Sequence, residues 1–233
     1  MLLFDMTEVK TILLQKSVFS DNDRAADELR VRLKEKGVFL INVMSSPGAG
    51  KTTTLVAVIN KLKEKLRIGV MEADIDSDVD AVAVAEKTGV KSVQLHTDGM
   101  CHLDAGMTKQ GLDEIGYDVD VVFLENVGNL VCPAEYDTGA QLNLNILSVP
   151  EGDDKPLKYP LVYQKCDLVL INKIDAIDYF DFDLSAVQQR IAARNPKATV
   201  LAISAKTGEN MDKVAEYLKT HRGELLCQNK TTK

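Results

Sequence analysis

A glycine-rich turn, "SSPGAGKTTT" at residues 45–54, separates a short apolar run at residues 38–44 from a helical pattern at residues 51–66. The apolar run is typical of a strand that is buried on both faces of a parallel sheet. A strand, a loop and a helix in this order form the context that a phosphate-binding loop requires. The alternative is a glycine-containing helix entry without a ligand. The strand, loop and helix fall in register with the Gly-Lys-Thr, which favours the phosphate site.

The backbone of this loop is predicted to hold the β- and γ-phosphates of a nucleotide, because its N–H groups point inward at the positive end of a helix dipole. We expect Gly48 and Gly50 to permit the close approach. Lys51 is predicted to reach the terminal phosphates, and Thr52 to give its hydroxyl to Mg²⁺. The predicted nucleotide contacts of the loop are Gly48, Ala49, Gly50, Lys51, Thr52 and Thr53. Ser45 departs from the general pattern, which starts with Gly.

Strand-like and helix-like patterns alternate along the rest of the chain. Further strands are predicted at residues 67–74, 91–97, 119–126, 142–149, 166–173 and 198–204, and further helices at residues 21–37, 78–89, 102–115, 184–194 and 210–221. This alternation predicts an α/β fold of the P-loop NTPase kind, with a mostly parallel central sheet and helices on both faces. We expect a single domain over residues 1–233, with a lead-in at residues 1–37 and a frayed tail at about 223–233.

Two polar motifs follow the last two predicted strands. In "NKID", residues 172–175, Asn172 and the Asp175 carboxylate are predicted to bond a purine edge. A carboxylate that accepts from N1–H and N2–H₂ fits guanine and leaves adenine unmatched, so the motif favours GTP over ATP. "SAKTG", residues 204–208, is similar to the second guanine-contact loop of GTPases, with the Ala205 amide facing the base. The predicted base-site residues are Asn172, Lys173, Asp175, Ser204, Ala205 and Lys206.

The segment "ENVG", residues 125–128, ends another predicted strand, where GTPases usually carry Asp-x-x-Gly. Glu125 is predicted to hold Mg²⁺ through water, and the Gly128 amide to sense the γ-phosphate. The predicted catalytic residues are Lys51, Thr52, Glu125 and Gly128. Asn129 follows, where many fast GTPases carry a water-orienting Gln. Because the Asn side chain is shorter, we predict slow intrinsic hydrolysis.

Acidic residues crowd the end of the second predicted strand in "EADIDSDVDA", residues 72–81. A solvated turn and a helix N-cap account for Asp78 and Asp80. Asp74 lies nearest the strand terminus and is predicted to be a second Mg²⁺ contact, while the role of Asp76 stays open. The predicted Mg²⁺ ligands are Thr52, Asp74 and Glu125.

The composition excludes several classes of protein. A net charge of -7 with no cluster of Lys and Arg argues against a nucleic-acid partner. The apolar runs are far shorter than the ~20 residues of a membrane helix, and the first residues lack an apolar core of signal-peptide length. The four cysteines are widely spaced, which favours free thiols in a reducing compartment. We therefore expect a cytoplasmic protein that is not held at a membrane.

The motifs "SSPGAGKTT", "EADIDSDVDA", "ENVGNLVCPAEYDTGA" and "NKID" together resemble the HypB family of hydrogenase nickel-incorporation GTPases, which belong to the SIMIBI class of P-loop proteins. The most specific of them is "ENVGNLVCP", which has Glu-x-x-Gly and a following Cys. Ser45 is usual in that family. The resemblance implies a GTP-promoted homodimer, a Cys/His metal site at its interface, a HypA-type metallochaperone partner and nickel delivery to the large subunit of [NiFe]-hydrogenase.

The resemblance implies that Cys101, His102 and Cys132 bind Ni²⁺ or Zn²⁺. Taken alone, a Cys-His pair is weak support, because a free Cys is most often a small buried hydrophobe. Cys132 strengthens the interpretation, since it directly follows the predicted phosphate-sensing segment. Two thiolates and an imidazole suit tetrahedral Zn²⁺, while Ni²⁺ accepts square-planar sites, so either metal is permitted. Other candidate residues are expected to be structural: His96, Met100 and Cys166, with Cys227 in the tail.

Three other functions compete with nickel delivery for hydrogenase. A urease-type nickel accessory GTPase shares the class of fold, although its relatives typically carry a Cys-Pro-His metal motif. A small-molecule kinase is disfavoured by the two guanine-type motifs, since most such kinases use ATP. The third is a nucleotide-gated metal-binding module whose hydrolysis is incidental.

Overall fold

A single parallel sheet organises the part of the chain that the structure, a computed structural model, describes: residues 10–13, 19–74 and 79–227. Its strands are β1 (Lys10–Leu13), β2 (Phe39–Ser45), β3 (Ile68–Asp74), β4 (Lys91–His96), β5 (Val121–Glu125), β6 (Leu142–Ser148), β7 (Leu168–Asn172) and β8 (Thr199–Ala202). They lie in the order β1-β4-β3-β5-β2-β6-β7-β8, and every described pairing is parallel. The predicted α/β fold with a mostly parallel sheet is confirmed.

Helices cover both faces of this sheet. They are α1 (Phe19–Lys36), α2 (Lys51–Leu62), α3 (Val79–Thr88), α4 (Ala105–Ile115), α5 (Cys132–Glu135), α6 (Lys155–Lys158), α7 (Pro160–Lys165), α8 (Leu184–Arg194) and α9 (Met211–Cys227). One apolar cluster joins the sheet to α2, α3 and α9. On the opposite face, α1 and α4 pack on one half of the sheet and α7 and α8 on the other. In the described ranges, no helix is long and apolar enough to cross a membrane.

The strand order places a crevice at the carboxyl end of β2. From β2 the chain moves outward to β3 and β4 on one side, and it later adds β6, β7 and β8 on the other. In open parallel sheets, ligands bind at this kind of switch point, outside the carboxyl ends of the strands. The loop after β2 is the glycine-rich turn, so the fold brings the predicted phosphate site to that crevice.

Several elements differ from the sequence predictions. Strand β1 was not predicted within the lead-in, because four residues carry too little periodicity. The short α6 and α7 were also missed, although each has a Pro in its first turn. Helix α4 begins at Ala105 rather than at residue 102, because Asp104 is its N-cap and accepts from the Met107 N–H.

The tail was predicted to fray from about residue 223, and this is wrong up to Cys227. Helix α9 continues through these residues, and Leu225 packs against the apolar cluster under α2 and α9. Leu226 lies beside Gly37, at the end of α1. The helix therefore continues because its last turn still has apolar surface to bury.

Candidate functional site

The glycine-rich turn connects β2 to α2. Gly48 and Gly50 have φ angles of +76° and +95°, in the left-handed region that favours glycine. A Cβ on Gly50 would lie 2.6 Å from the Asn172 amide nitrogen. Both the backbone conformation and the packing therefore require glycine at position 50.

A polar cavity of about 320 Å³ opens beside this turn. Its walls include Lys51, Gly128 and the carboxyl groups of Glu72, Asp74, Asp80 and Glu125. The Lys51 ammonium lies 3.8 Å from Glu125 Oε1. The structure thus brings together the predicted catalytic residues of the loop after β2 and of residues 125–128.

The Thr52 hydroxyl, a predicted Mg²⁺ ligand, donates to Asp80 Oδ1 at 2.8 Å. Asp80 is exposed in the first turn of α3, in agreement with the predicted solvated helix start, and its carboxylate also lines the cavity. Asp74 lines the same cavity, and its contact with Mg²⁺ stays a prediction. Asp76 and Asp78 lie outside the described residues.

Glu72 is a cavity residue that the sequence analysis missed. It faces Glu125 on β5 and Gln94 on β4 in the strand register, so the three side chains form a row across the sheet. Glu72 is hydrogen-bonded to Glu125, and burial together with this neighbouring carboxylate raises the pKa of Glu72 well above its usual range. Burial also raises the pKa of Glu125.

This row is incompletely hydrogen-bonded. Glu72 Oε1, Glu125 Oε2 and Gln94 Nε2 are buried and have no hydrogen-bond partner among the described residues. Buried polar atoms of this kind require a partner, and carboxylate oxygens are the ligands that hard divalent cations prefer. A signal for Glu72 was present in the sequence, since a carboxylate in an otherwise apolar strand, two residues before Asp74, points to the same face.

A second cavity, of about 380 Å³, lies at the ends of β7 and β8. It is lined by Gly50, Thr53, Asn172, Lys173, Asp175, Ala176, Ala205 and Lys206. Asp175 Oδ1 accepts a hydrogen bond from the Ser204 hydroxyl at 2.7 Å, which fixes the carboxylate in the wall. The Lys173 ammonium donates to the Gly48 carbonyl at 2.6 Å and ties this wall to the phosphate loop. The predicted base-site residues therefore converge.

The Asn172 side chain and the Ala205 backbone N–H make contacts in this cavity that were not predicted. Asn172 is buried, donates to the Ala49 carbonyl at 2.9 Å and accepts from the Ala205 N–H at 3.1 Å. In this structure the Asn172 side chain and the Ala205 N–H bond each other, and their contacts with a purine stay predictions. Asn172 joins three loops, which leaves Asp175 as the predicted base-reading side chain.

Asn129 was predicted to stand where a water-orienting amide would be. Its amide nitrogen instead donates to the Cys101 carbonyl, and its oxygen accepts from the N–H groups of Val131 and Cys132, each at 3.0 Å. Asn129 therefore joins the loop before α4 to the first turn of α5. It fixes the backbone of both cysteines that the sequence singled out.

Cys101 and Cys132 meet between these two loops. Their thiols are within hydrogen-bonding reach, and this contact, with burial, raises the pKa of Cys132 to about 11. His102 Nδ1 lies 3.8 Å from Cys101 Sγ, and the imidazole stacks on Tyr136 with the ring centroids 3.4 Å apart. Tyr136 was not predicted, because the stacking partner is remote in sequence.

The part of the chain that the structure describes has no preformed group of three His, Cys, Asp or Glu side chains that could hold a metal ion. The predicted ligands are therefore adjacent but do not form a complete coordination set. Among the remaining candidates, Met100 packs against the apolar cluster under α4, and Cys166 is fully buried. His96 is half-buried at the end of β4, and Cys227 is exposed at the end of α9.

Comparison with known proteins identifies the family. Residues 39–202 match the family model of the CobW/HypB/UreG nucleotide-binding domain. The hydrogenase maturation factor HypB of Azotobacter chroococcum mcd 1 is 39% identical over 222 residues, which cover 95% of this chain and 72% of the relative. The chain belongs to the HypB family. The hydrogenase/urease maturation factor HypB of Helicobacter hepaticus is 40% identical over 220 residues, or 92% of this chain and 90% of that one.

A solved HypB structure shares the fold. HypB from Helicobacter pylori, crystallised in complex with nickel, superposes with a TM-score of 0.82 at 37% identity, covering 88% of this chain and 96% of the other. The matched HypB domain begins with β2 and ends with β8. It therefore includes the phosphate loop, the acidic cavity, Cys101 and Cys132, while the "SAKTG" loop lies just beyond its end.

The charges of the acidic cavity determine what this HypB domain can hold there. Four carboxyl groups face one ammonium group, that of Lys51. Nucleotide phosphates alone would be repelled by the carboxylates, whereas a divalent cation between the two would reverse the sign of the interaction. The acidic side chains of the described residues are not arranged as a preformed metal site, so binding of Mg²⁺ by Thr52, Asp74 and Glu125 stays a prediction; the ion would neutralise charge on the terminal phosphates.

Proposed function

We propose that this chain is a GTP-hydrolysing nickel metallochaperone that binds metal at Cys101, His102 and Cys132 and delivers nickel during hydrogenase maturation. The observation that carries the proposal is the position of Asn129. This residue directly follows Gly128, where a Cβ would lie 3.4 Å from the Lys51 ammonium, and it is hydrogen-bonded to the backbones of Cys101 and Cys132. A movement at the γ-phosphate would therefore be transmitted to both thiols.

The nucleotide part of the proposal rests on the two cavities. The Asp175 carboxylate accepts from the guanine N1–H and N2–H₂ groups, and the loop of residues 48–53 holds the phosphates. Lys51 and Mg²⁺ neutralise the charge that develops on the transferred phosphoryl group. Gly128 donates its backbone N–H to the γ-phosphate, so residues 125–128 respond to the difference between GTP and GDP.

Intrinsic hydrolysis is proposed to be slow, with a turnover below about one per second. The Asn129 amide is engaged with backbone groups and is not directed at an attacking water. A water-orienting group is one of the parts that hydrolysis needs, and without it the rate depends on charge neutralisation alone.

A homodimer would complete the metal site. One chain supplies two thiols and a stacked imidazole, which falls short of a closed coordination set. Ligands from two copies related by a two-fold axis would supply the four positions that Zn²⁺ or square-planar Ni²⁺ takes. GTP would favour this dimer by ordering residues 125–132. A HypA-type metallochaperone and the hydrogenase large subunit are the proposed partners in nickel transfer.

Delivery of nickel to urease is a second candidate. It is favoured by the name of the Helicobacter hepaticus relative, a hydrogenase/urease maturation factor. The same nucleotide and metal sites would serve either recipient, so the recipient enzyme has to be tested separately.

Nickel affinity in the two nucleotide states tests the proposal. Competition with a chromophoric chelator should give different nickel affinities with GDP and with a non-hydrolysable GTP analogue, and by linkage nickel should change the nucleotide affinity by the same factor. Phosphate should be released from GTP without an added acceptor, which separates a GTPase from a kinase. Equal nickel affinities in both states would contradict the coupling.

Asn129→Ala should make the nickel affinity independent of the nucleotide, because it removes the hydrogen bonds that join the residue after Gly128 to the backbones of Cys101 and Cys132. Asn195→Ala is a matched control. Like Asn129, Asn195 donates from its amide nitrogen to a cysteine carbonyl, that of Cys166, and accepts from the N–H two residues later, that of Lys197. It lines neither the nucleotide cavities nor the cysteine site. It should leave the coupling intact.

A further inference from the structure

A continuous chain of hydrogen-bonded amides runs under the phosphate-sensing segment, residues 125–128. The Val127 N–H donates to Asn126 Oδ1 at 2.9 Å, and Asn126 Nδ2 donates to Asn42 Oδ1 at 3.1 Å. Asn42 Nδ2 donates to Asn143 Oδ1 at 3.0 Å, and Asn143 Nδ2 donates to the Lys165 carbonyl at 3.3 Å. These three asparagines, the asparagine chain, thus connect the end of β5, through β2 and β6, to the end of α7.

Two members of the asparagine chain occupy positions where apolar side chains would be expected, while Asn143 is half-buried. Asn126 is fully buried and Asn42 is 2% exposed. On β2, Asn42 lies between Leu40 of the apolar cluster under α4 and Met44 of the cluster under α7. Burying amides is unfavourable unless their donors and acceptors are paired, and removing one member leaves its neighbours unpaired. The chain therefore holds its members in one relative arrangement.

The end of the asparagine chain lies at the nucleotide site. The Asn126 side chain fixes the Val127 N–H, and the Asn126 N–H donates to the Val43 carbonyl at 2.9 Å. Gly128 follows, and a Cβ there would lie 3.4 Å from the Lys51 ammonium and 3.3 Å from Pro47. A small rotation at Val127 would therefore move the Gly128 backbone relative to the terminal phosphate.

We propose that Asn42, Asn126 and Asn143 are positioning residues for GTP hydrolysis, which hold the Gly128 backbone at the γ-phosphate. This inference rests on the proposed GTPase function. GDP has no γ-phosphate and does not reach Gly128. Disruption of the asparagine chain therefore slows hydrolysis and weakens binding of GTP analogues, while GDP binding is preserved.

Asn143→Leu tests this at the end farthest from the nucleotide, since it removes the acceptor of Asn42 without touching the site. We expect the single-turnover rate of phosphate release from GTP-Mg²⁺ to fall by about tenfold or more, as for other small displacements of a reacting group. The affinity for GDP should change by less than about twofold, which corresponds to less than about 0.4 kcal/mol.

The matched control is Asn145→Leu. Asn145 is fully buried on the same strand and the same face, but its amide bonds only the Met44 carbonyl and is not part of the asparagine chain. It should keep the wild-type rate even if it destabilises the fold as much as Asn143→Leu does in urea unfolding. Should Asn143→Leu not fold, Asn143→Ala removes the same acceptor with less volume and carries the same expectation.

The outcomes separate the two proposals. If the wild-type protein releases no phosphate from GTP, the proposed GTPase function fails. If the wild type hydrolyses GTP and Asn143→Leu hydrolyses it equally fast, the positioning role is overturned. The role is also overturned if Asn145→Leu is equally slow, or if the loss of rate is matched by a loss of GDP affinity.

Discussion

Replacing Glu72 by Gln should stabilise the nucleotide-free protein, and the gain should increase with pH. Glu72 is 2% exposed, lies beside Glu125 and has one oxygen without a partner among the described residues. Burial and the adjacent carboxylate raise its pKa, so the folded protein holds a proton that the unfolded chain releases. Gln at this position can still donate to Glu125 but has no proton to lose.

The sign and size follow from proton linkage. Because the folded-state pKa of Glu72 lies above the unfolded value, its contribution to stability is fully present below the unfolded pKa and is lost as the pH rises towards the folded pKa. Within this window one proton changes the free energy of unfolding by about 1.4 kcal/mol per pH unit. Measured at about pH 5.5 and at about pH 7.5, both above the unfolded pKa, the gain in stability of Glu72→Gln over the wild type should be larger at the higher pH, by no more than about 1.4 kcal/mol per pH unit.

The difference in the free energy of unfolding between the two proteins is measured by urea unfolding at these two pH values. EDTA is added to exclude divalent cations. Glu64→Gln, at an exposed position, is the control and should alter the stability by less than about 0.5 kcal/mol at either pH. A stability difference between Glu72→Gln and the wild type that does not change with pH would refute the reasoning. A difference that decreases as the pH rises would refute it as well.

Three other substitutions test separate parts of the structure. Asp175→Asn removes a charged acceptor from the base cavity and should lower the affinities for GDP and GTP alike by about 10- to 100-fold. Competition with a fluorescent GDP analogue measures both affinities, and unchanged values would contradict the base-reading role. Tyr136→Leu removes the ring that stacks on His102 and should lower nickel affinity by about tenfold with GTP turnover unchanged, whereas a loss of turnover would contradict that assignment. Gly111→Ala places a Cβ 2.6 Å from Met71 Sδ and should cost about 1–3 kcal/mol despite a better helix propensity; a more stable variant would show that α4 can shift.

The fold was predictable because its signals are local. A buried parallel strand such as β2 is a continuous apolar run, and an amphipathic helix such as α8 has a period of its own, so both are visible in short windows. Strand β1 is different. Its four residues are held by pairing with β4, some 80 positions along the chain, and such a partner cannot be read from local periodicity.

The candidate site was predictable in its members and less so in their roles. Motif spacing identified Asn172 and Ala205, but not that each takes the other as its hydrogen-bond partner across 33 positions. Asp80 fits a helix start when only its neighbours are considered, and only the packing of α3 on α2 directs it to Thr52. A hydrogen bond between remote residues depends on the tertiary fold, so the sequence pattern leaves such a role open.

Asn129 shows why the two halves of the proposed function belong together. Considered as a substitute for a water-orienting Gln, it is merely too short, and slow hydrolysis would be a side effect of its length. In the structure its amide is occupied by Cys101 and by the backbone of Cys132, so it cannot at the same time orient a water. Fast hydrolysis would require either a water-orienting group from another molecule or release of the Asn129 contacts, and release would free the loops that carry both thiols. In the proposed function, slow turnover and a metal site that responds to nucleotide would therefore both follow from one set of hydrogen bonds.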